Sequence, residues 1–342
     1  MNQTTKAHLP LRGELKTKVL PAPLTPEHFR RDEGMNAAVG GVVASEQLFL
    51  GSSHSNHYLV TAADGREFIA KQIYDFALAG CNRPATYEFR ALLLASKMKL
   101  APEPIYLDRE LNIVVMERVR HVPYDHLSLD ALRVRALLGM RIASLVPLAG
   151  EFRLLHGVFK IDINSHSALI MEALTVASSM TREGAEIQDL ADRVLRMCLP
   201  CQPILATLPK VFSHNDLVSS NVLTALDGSV LAIDFETAGL NGLDFVIGQI
   251  AVDADIDWML NGRAELDIGD LVVWLTEVTG VVLPHELLWA RVAERLLQNT
   301  AYAFRQIGVV CEPLTDSAYL ERKQQVLSHC RDRLDKVLTQ YG

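Results

Sequence analysis

Hydrophobic and polar positions divide the chain into a strand-rich segment followed by a mostly helical one. From residue 40 to residue 119, short apolar runs bounded by turn residues predict one helix at 85–99 and five strands, at 47–50, 57–61, 67–74, 105–107 and 112–116. After residue 123, apolar residues recur at helical spacing and predict helices at 131–155, 167–198, 269–279, 284–306 and 315–339. One hairpin, at 221–234, is predicted to interrupt them. We therefore predict an α+β chain with a small antiparallel-sheet lobe and a large helical lobe.

Three segments organise this pattern. Residues 1–34 contain several prolines and predict an arm with a short helix at 27–31. Residues 35–119 form the predicted sheet lobe, and residues 120–342 form the predicted helical lobe. The boundary between the lobes is expected at 116–123.

Composition narrows the class of protein. The chain has 342 residues, of which 49% are hydrophobic, so it is long enough for two lobes with a sizeable core. Its net charge is −8, from 33 basic and 41 acidic residues. An acidic chain without a basic stripe argues against nucleic acid or an anionic membrane as the main partner. A nucleotide needs only a local positive site, so this charge balance is compatible with nucleotide binding.

Cysteine usage and the first residues bear on the compartment. The five cysteines are too few and too scattered for a disulfide framework. Cys198 and Cys201 have the spacing of half a zinc site or of a redox pair, but no second pair matches them, so free thiols are expected. Residues 1–20 are polar and unlike a signal peptide, and no apolar run reaches the ~20 residues of a membrane helix. We expect a cytoplasmic protein.

The most specific chemistry lies at 214–221, which reads HNDLVSSN, and at 233–235, which reads IDF. This pattern provides Asp216, Asn221 and Asp234. Kinase-type phosphoryl transfer needs one carboxylate to orient the attacking hydroxyl, and an amide and a second carboxylate to hold magnesium against the ATP phosphates. The predicted hairpin would bring the two metal ligands to the same end. The same residues could instead be helix caps and turn residues.

The sheet lobe contains candidates for the nucleotide site. Lys71 lies in a strand that reads FIAK, similar to the strand whose lysine grips ATP phosphates. Glu88 lies on an apolar helix face, where a buried carboxylate needs a cation, and Lys71 is the natural partner. Further candidates are a phosphate-covering loop and an adenine-binding hinge, formed by Gly51, Ser52, Ser53, Ser55 and Asn56 and by Met116, Glu117 and Val119. An ordinary hairpin turn at 51–56 is the alternative.

These motifs, which extend over about 48–306, resemble the choline/ethanolamine kinase branch of the aminoglycoside-phosphotransferase-like kinases. The resemblance implies a two-lobed, protein-kinase-like fold. It implies that Asp216 is the catalytic base, that Asn221 and Asp234 bind magnesium, and that Glu236 is a metal- or substrate-side carboxylate. His214 would hold the loop through hydrogen bonds. Only about seven residues separate Glu236 from the next helical pattern, which leaves no room for an activation segment and favours a small-molecule acceptor.

The resemblance also implies an acceptor site. In choline kinases an acidic residue and aromatic rings surround a quaternary ammonium. The corresponding positions, with a second acid one helical turn later, are Asp253, Asp257, Trp258 and Tyr302. A bound cation or a neighbouring arginine would offset the repulsion between the two acids, and a solvated acidic face is the alternative. Departures from the family at Thr237, Ser220 and Val246 leave open ethanolamine, another amino alcohol or an amino sugar.

The sequence thus predicts an ATP- and magnesium-dependent kinase that phosphorylates a hydroxyl of a small, cationic, choline- or ethanolamine-like molecule. An aminoglycoside or other amino-sugar phosphotransferase is the alternative within the same class. A nucleotide-binding pseudokinase without turnover is the alternative from another class. The expected partner is the small-molecule acceptor, and a homodimer is left open.

Overall fold

A computed structural model describes residues 24–49, 55–73, 84–122, 128–147, 152, 182–205, 207–263, 266–309 and 317–342. The predicted phosphate loop at Gly51, Ser52 and Ser53 lies outside the described residues. In the described part of the chain, no helix combines the length and the apolar character needed to cross a membrane. The domain boundaries expected from the sequence stay predictions.

The first part of the described chain forms a five-stranded antiparallel sheet in the order β1-β2-β3-β5-β4. The strands are β1 (Val42–Phe49), β2 (Ser55–Ala62), β3 (Glu67–Ile73), β4 (Pro104–Asp108) and β5 (Ile113–Glu117). All five were predicted, although β1 begins five residues earlier than its apolar run. The predicted small antiparallel sheet is confirmed.

Two short helices cover one face of this sheet. The predicted helix at 27–31 is present as α1 (Pro26–Arg31), and a second helix, α2 (Glu33–Val39), was not predicted. The Asp32 side chain caps α2 by accepting a hydrogen bond from the backbone N–H of Met35, which satisfies a donor that the helix cannot. The apolar side chains of both helices pack against alternate residues of β2 and form one core cluster.

Helix α3 (Pro84–Ser96) covers the other face of the sheet. Ala91, Leu92 and Ala95 are buried in a second core cluster, as their spacing predicted. Burying a leucine side chain stabilises a fold by roughly 1.5–3 kcal/mol, so this face fixes how α3 is oriented. The orientation directs Glu88 toward β3.

Helices make up most of the remaining described chain, in agreement with the predicted fold class. They are α4 (Leu129–Ala143), α5 (Arg182–Cys198), α6 (Gln202–Leu205), α7 (Leu243–Leu260), α8 (Ile268–Thr279), α9 (His285–Val309) and α10 (Ser317–Tyr341). Helix α4 ends at Ala143, so its predicted end at residue 155 is wrong. Helix α7 is buried continuously from Asp244 to Asp257, which explains why its sequence is largely apolar. Cys198 and Cys201 are buried free thiols, as expected.

Two small sheets lie among the helices. The predicted hairpin is formed by β8 (Val222–Ala225) and β9 (Val230–Ala232), and its turn contains Gly228 at φ +84°. The short strand β6 (His121–Val122) pairs with β8. A further antiparallel pair, β7 (Lys210–Ser213) with β10 (Gly239–Gly242), was not predicted, so the expectation that one hairpin alone interrupts the helices was wrong. This pair fixes both ends of the segment that carries Asp216 and Asp234.

Candidate active site

The loop that follows β7 has an unusual backbone conformation at Asn215. This residue has φ +65°, a left-handed conformation that asparagine tolerates better than most residues. Its side chain donates to the carbonyl of Thr237 at 2.8 Å and accepts from Asn241, while its own carbonyl accepts from Gln249. The hydroxyl of Thr237 donates to the carbonyl of His214 at 3.0 Å. These bonds hold the loop in a conformation that costs about 1–2 kcal/mol.

His214 connects this loop to the end of β9. Its Nε2 lies 2.8 Å from the carbonyl of Ile233, which can only accept, so Nε2 carries the proton. Its Nδ1 accepts from the backbone N–H of Asp216 at 3.3 Å, and its ring packs on Phe235 with centroids 4.4 Å apart. Burial lowers the pKa of His214 to about 4. The neutral imidazole therefore holds the loop through hydrogen bonds, as the sequence suggested.

Asp216 and Asn221 lie side by side. The Asn221 amide donates to the backbone carbonyl of Asp216 at 2.8 Å and to its carboxylate at 3.1 Å. Burial, together with the charges of Asp234 and Asp253, raises the pKa of Asp216 to about 7, although Arg295 opposes this. The carboxylate can thus gain or lose a proton near neutral pH, which a general base requires.

Lys71 forms a compact charged cluster with three carboxylates. Its ammonium lies 2.9 Å from Glu88, 3.1 Å from Glu236 and in direct contact with Asp234. Burial opposes the charge of Lys71, but the three acids hold its pKa well above the ordinary value. Burial also raises the pKa of Glu88, whereas Lys71 lowers the pKa of Asp234. The ion pair between Lys71 and Glu88 that the sequence predicted is present, and Glu88 is fully buried.

This cluster can accommodate a metal ion. Carboxylate oxygens of Glu88, Asp234 and Glu236 lie within 4.8 Å of one another. Lys71 supplies one positive charge to three acidic side chains, so an added cation would be favourable. The hydrogen bond from the backbone N–H of Ile233 to the Asn221 carbonyl, at 2.9 Å, keeps the predicted amide ligand next to Asp234. Hard oxygen donors of this kind suit magnesium.

The predicted nucleotide residues in the sheet occupy different environments. Ser55 and Asn56 are buried at the start of β2, and the Asn56 amide donates to Gln72 at 3.3 Å. Met116 is buried in β5, and the backbone N–H of Glu117 donates to Glu103 at 2.9 Å. The carbonyl of Val119 lies 3.1 Å from Nδ1 of His121. Their roles in binding a nucleotide stay predictions.

The two acids predicted for the acceptor site are buried and paired with arginines. Asp253, only 4% exposed, accepts two hydrogen bonds from Arg295 at 3.0 and 2.9 Å. Asp257 contacts Arg135 and accepts from the backbone N–H of Ser219 at 2.9 Å. A solvated acidic face is therefore wrong, and the arginine alternative describes these residues.

The two aromatic residues predicted for that site also meet cations of the chain itself. The guanidinium of Arg263 lies 5.7 Å from the ring centroid of Trp258, and the ammonium of Lys323 lies 4.9 Å from that of Tyr302. Both distances permit cation–π attraction. All four predicted residues thus interact with a cation that the protein already supplies.

A cleft of about 640 Å³ opens beside the loop that follows β7. It lies between that loop, the end of α7 and the start of α10, and its polar lining residues are His121, Ser219, Ser220, Asp257, Asn261, Glu321, Arg322 and Gln325. Trp258 and Tyr302 are not among its lining residues in the described part of the chain. The volume is within the range of small-molecule sites.

Several residues that build this region were not singled out from the sequence. Gln249 braces Asn215 by donating to its backbone carbonyl. Val246, a departure from the family that the sequence already indicated, is buried in the helical core. Arg295 lies on α9 next to the buried residue Leu296. A charge beside apolar core positions needs a partner, and the argument that identified Glu88 could have identified Arg295.

Comparison with known proteins agrees with this geometry. A model described as "Phosphotransferase enzyme family" matches residues 46–249, more than half of the chain. An aminoglycoside phosphotransferase from Alicyclobacillus acidocaldarius superposes with a TM-score of 0.57 at 14% identity, covering 94% of this chain and 97% of its own. A choline/ethanolamine kinase family protein from Mesorhizobium loti superposes with a TM-score of 0.58 at 17% identity, covering 91% and 96%.

A spectinomycin phosphotransferase solved with ADP and spectinomycin superposes with a TM-score of 0.57 at 16% identity, covering 86% of this chain and 92% of its own. No curated protein sequence is significantly similar to this chain. At these identities the structural likeness establishes a kinase-like fold alone, whereas the family model reports membership. The chain belongs to the phosphotransferase enzyme family.

Proposed function

We propose that this protein transfers the γ-phosphoryl group of ATP to a hydroxyl of a small molecule, with magnesium as cofactor. The observation that supports this most directly is the juxtaposition of Asp216 and Asn221 with the cluster of Lys71, Glu88 and Asp234. In phosphoryl transfer the protein supplies positioning and electrostatic stabilisation, and these groups offer both.

Each residue has a role that follows from its surroundings. Asp216 accepts a hydrogen bond from the acceptor hydroxyl and takes its proton as the oxygen attacks. Lys71, held by Glu88, pairs with phosphate oxygens of the nucleotide. Asn221, Asp234 and Glu236 would hold magnesium, which when bound neutralises the negative charge of the transferring phosphate. A general base of this type contributes about 10²–10⁴ to the rate.

A choline- or ethanolamine-like amino alcohol is the first candidate acceptor. It is the class that the motifs at 214–221 and 233–236 imply, and one structural neighbour is a choline/ethanolamine kinase family protein. The residues predicted to bind its ammonium, Asp253, Asp257, Trp258 and Tyr302, each now interact with an arginine or lysine. At least one of them would have to rearrange to bind the ammonium instead.

An amino sugar or a related polyhydroxylated molecule is the second candidate. The lining of the cleft favours it, because hydroxyl, amide and carboxylate groups suit an acceptor with many hydroxyl groups. The lining also lacks a Trp, Tyr or Phe ring among the residues that the structure describes, whereas a quaternary ammonium is recognised by such rings.

A panel of acceptors tests the proposal. ADP release would be measured with magnesium and choline, ethanolamine, thiamine, simple sugars and aminoglycosides, and product phosphorylation would be confirmed by mass spectrometry. We expect one chemical class to be phosphorylated, with a rate that Asp216→Ala reduces at least 100-fold. Near-full transfer by Asp216→Ala would refute the assigned base. ATP binding without a phosphorylated product from any acceptor would favour the pseudokinase alternative.

A further inference from the structure

His57 lies directly opposite Lys71 in the sheet. Strands β2 and β3 are antiparallel, and their register pairs His57 with Lys71 and Leu59 with Ile69. Directly opposed residues point to the same face, with Cβ atoms about 4.5–5.5 Å apart. The imidazole therefore shares the face of the sheet on which Lys71 meets Asp234 and Glu236.

The alternation of burial along β2 supports this placement. Tyr58 and Val60 are buried in the core beneath α1 and α2, so they point to the opposite face. His57 and Leu59 are only partly buried. His57 and Leu59 therefore lie on the same face of the sheet as Lys71. On that face, Leu59 and Ile69 form an apolar surface next to His57 and Lys71.

We propose that His57 is a nucleotide-binding residue whose imidazole N–H donates a hydrogen bond to a phosphate oxygen of the nucleotide held by Lys71. The inference rests on the proposed function, because it assumes that Lys71 meets phosphate. It assigns this chain a phosphate contact from near the start of strand β2, in addition to Lys71. The leucine and isoleucine pair beside it would face the adenine end.

The electrostatics of the site suit this role. Burial and the neighbouring charge of Lys71 lower the pKa of His57 to about 4, although Asp234 opposes the shift. A neutral imidazole keeps one N–H donor without adding a second positive charge beside the Lys71 ammonium. A hydrogen bond to a charged oxygen is among the stronger kinds in proteins.

Two substitutions separate this role from simple packing. His57→Leu removes the donor and keeps the bulk, whereas His57→Gln keeps a donor. Calorimetry would measure the dissociation constants of magnesium-ATP, ADP and adenosine. For His57→Leu we expect affinity for ATP and ADP to fall about 10-fold or more, with adenosine binding unchanged, and for His57→Gln a smaller loss. His28→Gln, at an exposed position of helix α1, is the matched control and should bind all three ligands normally.

The outcomes distinguish the inference from the function on which it rests. Equal weakening of adenosine and ATP would assign His57 to packing and overturn the inference, as would ADP affinity retained by His57→Leu. If the unmodified protein binds adenosine and ATP equally, the phosphate site itself is absent and the proposed function fails as well. Transfer activity that persists while His57→Leu binds ADP normally would overturn the role of His57 alone.

Discussion

Replacing Asp216 with asparagine should stabilise the protein at alkaline pH while abolishing phosphoryl transfer. The change keeps the size of the side chain and an oxygen that can accept from the Asn221 amide. It removes a carboxylate whose ionisation is unfavourable in the folded protein, because burial and the charges of Asp234 and Asp253 raise its pKa from 3.8 to about 7. The proposed catalytic base is thus expected to lower the stability of the folded protein.

The pH range of the effect follows from the direction of this shift. Below pH 4 the Asp216 carboxyl is protonated in both the folded and the unfolded chain, so its full contribution to the free energy of unfolding is present. Between pH 4 and pH 7 the unfolded chain ionises first, and the contribution is lost as pH rises. A difference of about three between the two pKa values corresponds to about 4 kcal/mol, which is an upper limit because the residue is partly exposed.

Urea unfolding at a series of pH values would test this reasoning. The stability advantage of Asp216→Asn should grow by up to about 2–3 kcal/mol between pH 5 and pH 7 and then level off. Asp227→Asn is the control, because Ser229 lowers the pKa of that exposed turn residue, so its substitution should have the opposite sign. A constant or shrinking advantage of Asp216→Asn would show that the Asp216 carboxylate ionises without cost, contrary to its surroundings.

Three further predictions concern charged groups of the same region. The rate kcat/KM should rise with pH through about 7 as Asp216 ionises, and Asp253→Asn should move this limb to lower pH, both measured in a pH–rate profile. Lys71→Met should lower ATP turnover by about 10²–10³. In thermal unfolding it should also destabilise the fold more at pH 8 than at pH 6, because three carboxylates lose their shared cation. Equal destabilisation at the two pH values would contradict this. Arg135→Met should lower the free energy of unfolding in urea by about 3–5 kcal/mol, because it leaves the buried Asp257 carboxylate without its arginine. The double variant Arg135→Met/Asp257→Leu should recover most of this loss. No recovery would contradict the pairing.

The sequence predicted best where one local rule was sufficient. Glu88 on an apolar helix face required a cation, and Lys71 is in fact its partner. The Asp-Gly sequence at 227–228 is typical of a hairpin turn, and the predicted hairpin that carries Asn221 toward Asp234 is present. Both inferences used short-range patterns whose physical cost is large, namely an unpaired buried charge and a positive φ.

Prediction failed where the partner lay far along the chain. Asp253 meets Arg295 across 42 residues, and Asp257 meets Arg135 across 122. Helical spacing shows that the two acids share a face but carries no information on which helix covers it. The strands β7 and β10 have four residues each, too few for a periodic signal to distinguish them from loops.

The two ends of the site differ in charge balance, and this difference determines at which end an external cation is favoured. At the end predicted to bind the acceptor, Asp253 and Asp257 are each paired with one arginine, so their charges are compensated within the protein. At the end predicted to bind phosphate, Lys71 forms ion pairs with three acids, Glu88, Asp234 and Glu236. An external cation is therefore favoured at the phosphate end, where magnesium would enter with the nucleotide. If the proposed function holds, we expect selection of the acceptor to depend less on its charge than on hydrogen bonds formed in the cleft beside Ser219 and Ser220.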